Sequence, residues 1–232
     1  MHKLGKYTGT DMMIDLICEN YRTLLVMSRF GIGVGFGDKT IGDVCRTTGV
    51  DVKTFLSVVN LLLDDEPISD FSASGLSVES LVAYLQSSHV YFLNYRLPGI
   101  RNQLDKILSQ RQDDLSQAIL RYFDEYVAEV RKHMMYEENT VFPYVRSLIG
   151  GKKQSRYSIA VFRKQHNQVE ARLTEFKQII IRYYPSKSTN EINSVLFDIF
   201  DCEHDLAFHN SVEDRLFVPA IMEIEHRTAD KS

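Results

Sequence analysis

Apolar positions along much of the chain recur at three- and four-residue intervals, which is the spacing of amphipathic α-helices. Four long helices are predicted, with approximate bounds 78–108, 115–148, 155–183 and 191–225. Ser77 is placed to cap the first, and Pro98 predicts a kink in it because proline removes a backbone donor. Ser188 and Glu191 have the form of a capping box for the fourth. Short connections between four long helices favour an up-down-up-down bundle.

The preceding residues carry shorter helical patterns. One apolar run extends from Met12 to Phe30, and Thr40 and Asp51 are placed to cap two further helices. The glycine-rich stretch 31–37 is interpreted as a loop between helices. No strand precedes it and no Gly-Lys-Ser/Thr follows it, so a phosphate-binding loop is not indicated.

These patterns predict an all-α protein with two domains. A small helical N-terminal domain is predicted over residues 1–66 and the four-helix bundle over residues 77–232. Residues 67–76 combine proline, glycine and repeated serine, which is typical of a linker.

Composition narrows the class of protein. The 232 residues are 44% hydrophobic, which is ample for a core, and the formal net charge is −4. Because lysine and arginine form no cluster, no nucleic acid partner is expected. The first residues lack the apolar core of a signal peptide, and no apolar run approaches the roughly 20 residues needed to span a bilayer. We therefore expect a cytoplasmic protein with no membrane partner.

Three scattered cysteines indicate reduced, partly buried thiols.

Two His-x-x-x-Glu pairs lie in separate predicted helices, His133 with Glu137 and His209 with Glu213. Residues i and i+4 share one face of a helix at about 6 Å. Each pair can therefore direct an imidazole and a carboxylate at one point. A carboxylate placed in this way can bridge two metals while the imidazole binds one of them.

Two further histidines, His89 and His166, lie singly in the other two predicted helices. A lone histidine on a helix is usually a packed or surface residue. Four imidazoles and two carboxylates with apolar neighbours, however, would carry a polar desolvation cost that metal coordination removes. Glu170 also follows His166 by four residues, but its polar neighbours favour a solvent-facing or outer role.

This donor set predicts a metal pair. Imidazole with carboxylate suits iron, manganese or zinc. Shared carboxylates leave room for an oxo or hydroxo bridge, which favours iron and leaves zinc open.

The order His, His-x-x-x-Glu, His, His-x-x-x-Glu resembles the hemerythrin-like domain of the Repair of Iron Centres family, which are iron–sulfur cluster repair di-iron proteins. The resemblance extends to the N-terminal segment through Glu19-Asn20-Tyr21-Arg22-Thr23 and Phe30-Gly31-Ile32. It implies a centre of two non-haem iron ions whose terminal ligands are His89, His133, His166 and His209 and whose bridging ligands are Glu137 and Glu213.

The resemblance also implies repair of iron–sulfur clusters damaged by nitric oxide or oxidants. Iron–sulfur proteins would be the clients, and nitric oxide or dioxygen the ligand. Gly35 and Phe36 stand where the family usually carries adjacent cysteines. This departure favours the alternative function, a di-iron sensor or carrier of dioxygen or nitric oxide.

Overall fold

The computed structural model describes residues 7–63, 75–109, 113–151, 157–164, 167–185 and 189–229. Within these ranges the regular structure is helical, apart from one isolated bridge between Met12 and Thr40. The prediction of an all-α protein is confirmed. No helix in these ranges is long and apolar enough to cross a bilayer.

Four short helices occupy the N-terminal part: α1 (Met13–Glu19), α2 (Thr23–Arg29), α3 (Ile41–Thr48) and α4 (Val52–Leu63). The two predicted caps are present. The Thr40 hydroxyl accepts a hydrogen bond from the Asp43 amide at 3.1 Å, and the Asp51 carboxylate accepts one from the Thr54 amide at 2.8 Å.

The apolar run predicted from Met12 to Phe30 is two helices instead of one. The side chain of Asn20 accepts a hydrogen bond from the Arg22 amide at 3.0 Å, which forms a local turn between α1 and α2. The glycine-rich stretch that follows is a loop, as predicted, and Gly31 and Gly35 adopt positive φ angles of 72° and 89°.

The longer helices are interrupted by π-helical turns, in which each amide bonds five residues back. In chain order the elements are α5 (Val78–Tyr91), π1 (Phe92–Arg96), α6 (Leu97–Leu108), α7 (Asp114–Tyr136), π2 (Glu137–Val141), α8 (Phe142–Ile149), α9 (Asn167–Tyr183), α10 (Thr189–Val212), π3 (Glu213–Phe217) and α11 (Val218–Ala229). Ser77 caps α5 by accepting from the Ser80 amide at 3.2 Å.

The helix predicted from Ser155 differs from the structure. Residues Ile159–Lys164 form a 3₁₀ helix, and α9 begins only at Asn167. Ile159 and Phe162 are both fully buried, and their three-residue spacing places them on one face of a 3₁₀ turn. Ser155, His166 and the predicted cap Ser188 lie outside the described residues, as does most of the predicted linker.

The chain divides into two compact units. The first comprises Met1–Ser88, Val145–Ile159 and Ser211–Ser232, and the second comprises His89–Tyr144 and Ala160–Asn210. In the first unit the ring of Phe30 contacts those of Phe55 and Tyr84, with centroids 5.5 and 4.9 Å apart. The predicted domain boundaries at 66 and 77 stay a prediction.

The second unit has its own apolar core. The fully buried rings of Phe92, Phe123, Tyr126 and Phe176 lie in it, among aliphatic side chains from α6, α7, α9 and α10. Hydrogen bonds to Asp198 also link α10 to π1 and α6: its carboxylate accepts one from Arg96 at 2.8 Å and one from Gln103. This packing holds α7 and α10, the helices that carry His133 and His209.

Candidate metal centre

The carboxylate of Glu137 lies between two imidazoles. Its side chain is fully buried at the start of π2. Nε2 of His133, one turn earlier on α7, lies 2.8 Å from Oε1, and Nε2 of His89 on α5 lies 2.8 Å from Oε2. The i,i+4 spacing of the first pair was read from the sequence, whereas the approach of His89 depends on tertiary packing.

These close approaches lack hydrogen-bond geometry. Neither carboxylate oxygen of Glu137 accepts a hydrogen bond from a described group, although each is 2.8 Å from an imidazole nitrogen. A buried carboxylate in this condition carries a desolvation cost of several kcal/mol in order of magnitude. Imidazole nitrogens and carboxylate oxygens that converge in this way are arranged to bind an ion, and coordination would remove that cost.

The ionisation of Glu137 suits coordination as well. Burial by itself raises the pKa of this carboxyl, but the imidazoles of His133 and His89 lower it, and the net pKa lies below its ordinary value. The group is therefore a carboxylate at neutral pH, which is the form that binds metals.

The second His-x-x-x-Glu pair supplies further donors. His209 near the end of α10 and Glu213 at the start of π3 are buried, and the ring of His209 lies 5.3 Å from that of His89. One ligand atom from each member of a four-residue group lies within 4.8 Å of the others; the group comprises His89, Glu137, His209 and Glu213.

Of the six predicted ligands, five are therefore placed near one another. His133 is not one of the four, but its Nε2 lies 2.8 Å from Oε1 of Glu137, which is. His166 lies outside the described residues, and so does the side chain of Glu170. His204 and His226 are exposed on α10 and α11. The donors present are imidazole nitrogens and carboxylate oxygens, which fit a centre of iron, manganese or zinc.

Aromatic rings line the site. Phe142 stacks on His89 with centroids 5.6 Å apart and planes 18° apart. Phe162 lies parallel to His133 at 6.5 Å, and Phe92 meets His209 edge-on at 5.9 Å. These rings are fully buried, so they exclude water and restrict how the imidazoles rotate.

Sequence reasoning missed the π turns at the site. Glu137 and Glu213 are the first residues of π2 and π3, and His89 lies three residues before π1. Single π turns inside α-helices frequently mark functional sites. A signal was available: a proline follows the start of each turn by six residues, at Pro98, Pro143 and Pro219.

Glu138 was also missed. Its carboxylate oxygen Oε1 lies at hydrogen-bond distance, 2.8 Å, from Nδ1 of His89. No helical spacing connects residues 89 and 138, so only the tertiary structure could show this pair.

The family model of the hemerythrin HHE cation-binding domain matches residues 82–221, more than half of the chain. The matched range begins in α5, ends in α11 and includes all six predicted ligands. A comparison with curated proteins gave no significant match. The site geometry and the family match agree, and the chain belongs to the hemerythrin HHE cation-binding domain family.

Proposed function

We propose that the site holds two non-haem iron ions. The observation that carries this proposal is the position of Glu137, each of whose oxygens faces a different imidazole, because a carboxylate placed in this way can bridge two ions. The proposed terminal ligands are His89, His133, His166 and His209, and the proposed bridging ligands are Glu137 and Glu213.

The balance of donors supports iron. Four neutral imidazoles with two carboxylates leave net positive charge on a metal pair, which an oxo or hydroxo bridge would offset. The same excess of neutral ligands favours the ferrous state over the ferric state. A centre of this kind supplies redox-active iron and positions for a small exogenous ligand.

We propose further that the protein repairs iron–sulfur clusters damaged by nitrosative or oxidative stress, by donating iron or by handling nitric oxide. The resemblance of the chain to the Repair of Iron Centres family supports this, together with the N-terminal helices α1 to α4 that precede the matched domain. Iron donated to a client cluster would be the cargo. Iron–sulfur proteins are the proposed clients, and a site in the cytoplasm would give access to them.

A sensor or carrier of dioxygen or nitric oxide is the second candidate. The buried rings of Phe142 and Phe162 beside the imidazoles favour it, because an apolar lining admits a neutral diatomic more readily than a hydrated ion. Gly35 and Phe36 at the position of the family's adjacent cysteines favour it as well, because they provide no thiol for transfer.

The deciding experiment begins with anaerobic purification and metal quantification, which should give about two irons per chain. The protein is then incubated with a cluster enzyme inactivated by nitric oxide. Wild type should restore activity, and the variant His133→Ala/His209→Ala should not. The matched control, His204→Ala/His226→Ala, removes two exposed histidines and should behave as wild type.

Three outcomes would overturn parts of this proposal. Tightly bound zinc in protein from iron-replete cells would exclude the iron centre. Equal restoration by wild type and the His133→Ala/His209→Ala variant would exclude repair by the centre. Reversible binding of nitric oxide or dioxygen without any repair would establish the sensor or carrier in place of the repair protein.

A further inference from the structure

The ring of His89 is flanked by two consecutive carboxylates of the neighbouring helix. Nε2 lies 2.8 Å from Oε2 of Glu137, and Nδ1 lies 2.8 Å from Oε1 of Glu138. His89 is 3% exposed, whereas the Glu138 side chain is 23% exposed. The two edges of one buried imidazole therefore contact different carboxylates, only one of which is fully buried.

We infer that Glu138 is a positioning residue that fixes the orientation and tautomer of His89. Nδ1–H donates to the Glu138 carboxylate, so Nε2 carries the lone pair and faces Glu137 and the ion. This inference rests on the proposed metal function. A histidine that binds a metal through one nitrogen commonly donates its other N–H to a carboxylate, which orients the ring and increases its basicity.

Glu137 and Glu138 are adjacent residues of one π turn. In an α-helix consecutive side chains project about 100° apart, and the wider π turn brings them somewhat closer in direction. Both belong to the first turn of π2, whose hydrogen bonds enclose an extra residue and change the direction of the side chains. Phe142, the first residue after π2, stacks on the face of His89 and holds the plane of the ring between the two carboxylates.

The charge of Glu138 has a consequence separate from its shape. A carboxylate at Nδ1 increases the electron donation of the imidazole to a metal at Nε2, which stabilises the more highly charged ion. A neutral amide at the same place can still accept Nδ1–H through its oxygen, but it lacks that charge. Glu138→Gln and Glu138→Ala therefore separate two effects: the first removes the charge alone, and the second removes both charge and hydrogen bond.

The experiment measures binding of Co²⁺ and Fe²⁺ to the full chain under anaerobic conditions, and the midpoint potential of the iron form. Glu138→Ala should lower the affinity for both ions by ~10–100-fold, as for other outer partners of metal ligands. Glu138→Gln should keep most of the affinity but raise the midpoint potential. The matched control is Glu125→Gln on α7, an exposed glutamate whose Oε2 lies 3.5 Å from Arg172, and it should change neither quantity.

Wild-type affinity and wild-type potential in both Glu138 variants would overturn the inference, provided that circular dichroism shows them folded. A purely structural role predicts a lower melting temperature with an unchanged potential in Glu138→Gln, which would also overturn it. A wild-type protein that binds neither ion would overturn the inference together with the metal function. Failure of cluster repair with the predicted order of affinities intact would remove only the repair proposal.

Discussion

Pro143 follows Glu137 by six residues, and the turn π2 begins at Glu137 and ends two residues before the proline. Inside an α-helix the ring of a proline clashes with the carbonyl group four residues earlier, and the proline nitrogen has no hydrogen to donate to a hydrogen bond. A wider π turn just before the proline leaves room for the ring. Pro98 and Pro219 stand in the same relation to π1 and π3. The three π turns thus accommodate a proline within a helix that continues on both sides.

The first prediction is that Pro143→Ala weakens metal binding while the protein stays folded. Alanine restores the backbone donor and favours regular α-helix, which would rotate Glu137 away from His89. The free energy of unfolding should change by less than about 1 kcal/mol, because proline in the first turn of a helix is well tolerated. Metal titration and thermal denaturation measure the two quantities.

Pro219→Ala should likewise weaken metal binding, because regular α-helix at that place would rotate Glu213. The matched control is Pro185→Ala, which lies after α9 and outside the helices. Metal affinity that is unchanged in Pro143→Ala and Pro219→Ala would show that the π turns do not depend on these prolines.

Local spacing accounts for what the sequence could predict. The pair His133 and Glu137 meets at 2.8 Å because positions i and i+4 face the same way in any helix, so their contact requires no knowledge of the fold. The caps at Thr40 and Asp51 are local in the same sense. The role of these residues as metal ligands stays a prediction, since it is a statement about chemistry that spacing alone supports.

The contacts that could not be predicted depend on packing between distant segments. Glu138 meets His89 across 49 positions of sequence. Ile159 and Phe162 are both buried on one face of the 3₁₀ segment before α9. Their three-residue spacing also fits an α-helix, so the sequence pattern predicts α-helix there. The π turns lack a hydrophobic period of their own, although the recurring prolines mark them.

The second prediction compares three glutamates. Glu137→Ala and Glu213→Ala should each reduce the metal content of the purified protein more than Glu170→Ala does. Loss of a bridging carboxylate loosens both ions, whereas loss of an outer partner lowers affinity by ~10–100-fold. Metal analysis after dialysis measures the retained fraction. Equal losses from all three substitutions would mean that the proposed bridging ligands are wrong.

The third prediction concerns thiol reactivity. Cys18 is exposed, whereas Cys45 and Cys202 are buried. Burial, with a smaller contribution from Asp51, raises the pKa of Cys45 to about 11, so its reactive thiolate is scarce. We expect one rapidly labelled thiol per chain in native protein and two more after denaturation.

Labelling of Cys45 should increase only as the pH approaches about 11. The raised pKa favours the neutral thiol in the folded state, so this contribution to stability is present below pH 9.0, the ordinary pKa, and is lost as the pH rises through about 11. The control variant Cys18→Ser should show no rapid labelling. A second fast thiol in native wild type would contradict the burial of Cys45 and Cys202.

The fourth prediction is that the protein stays helical when its metal is removed. Each fully buried side chain such as Phe92, Phe123 or Phe176 contributes ~1.5–3 kcal/mol through apolar burial, and none of this requires an ion. A zinc finger differs because its few apolar side chains cannot fold it without metal.

Chelation should therefore leave the far-ultraviolet circular dichroism of a helical protein, while the melting temperature falls because a ligand bound to the native state alone stabilises it by mass action. The variant His133→Ala/His209→Ala, treated in the same way, should show no further fall on chelation. Loss of the helical signal at temperatures well below the melting transition would show that the metal, and not the apolar core, holds the helices together.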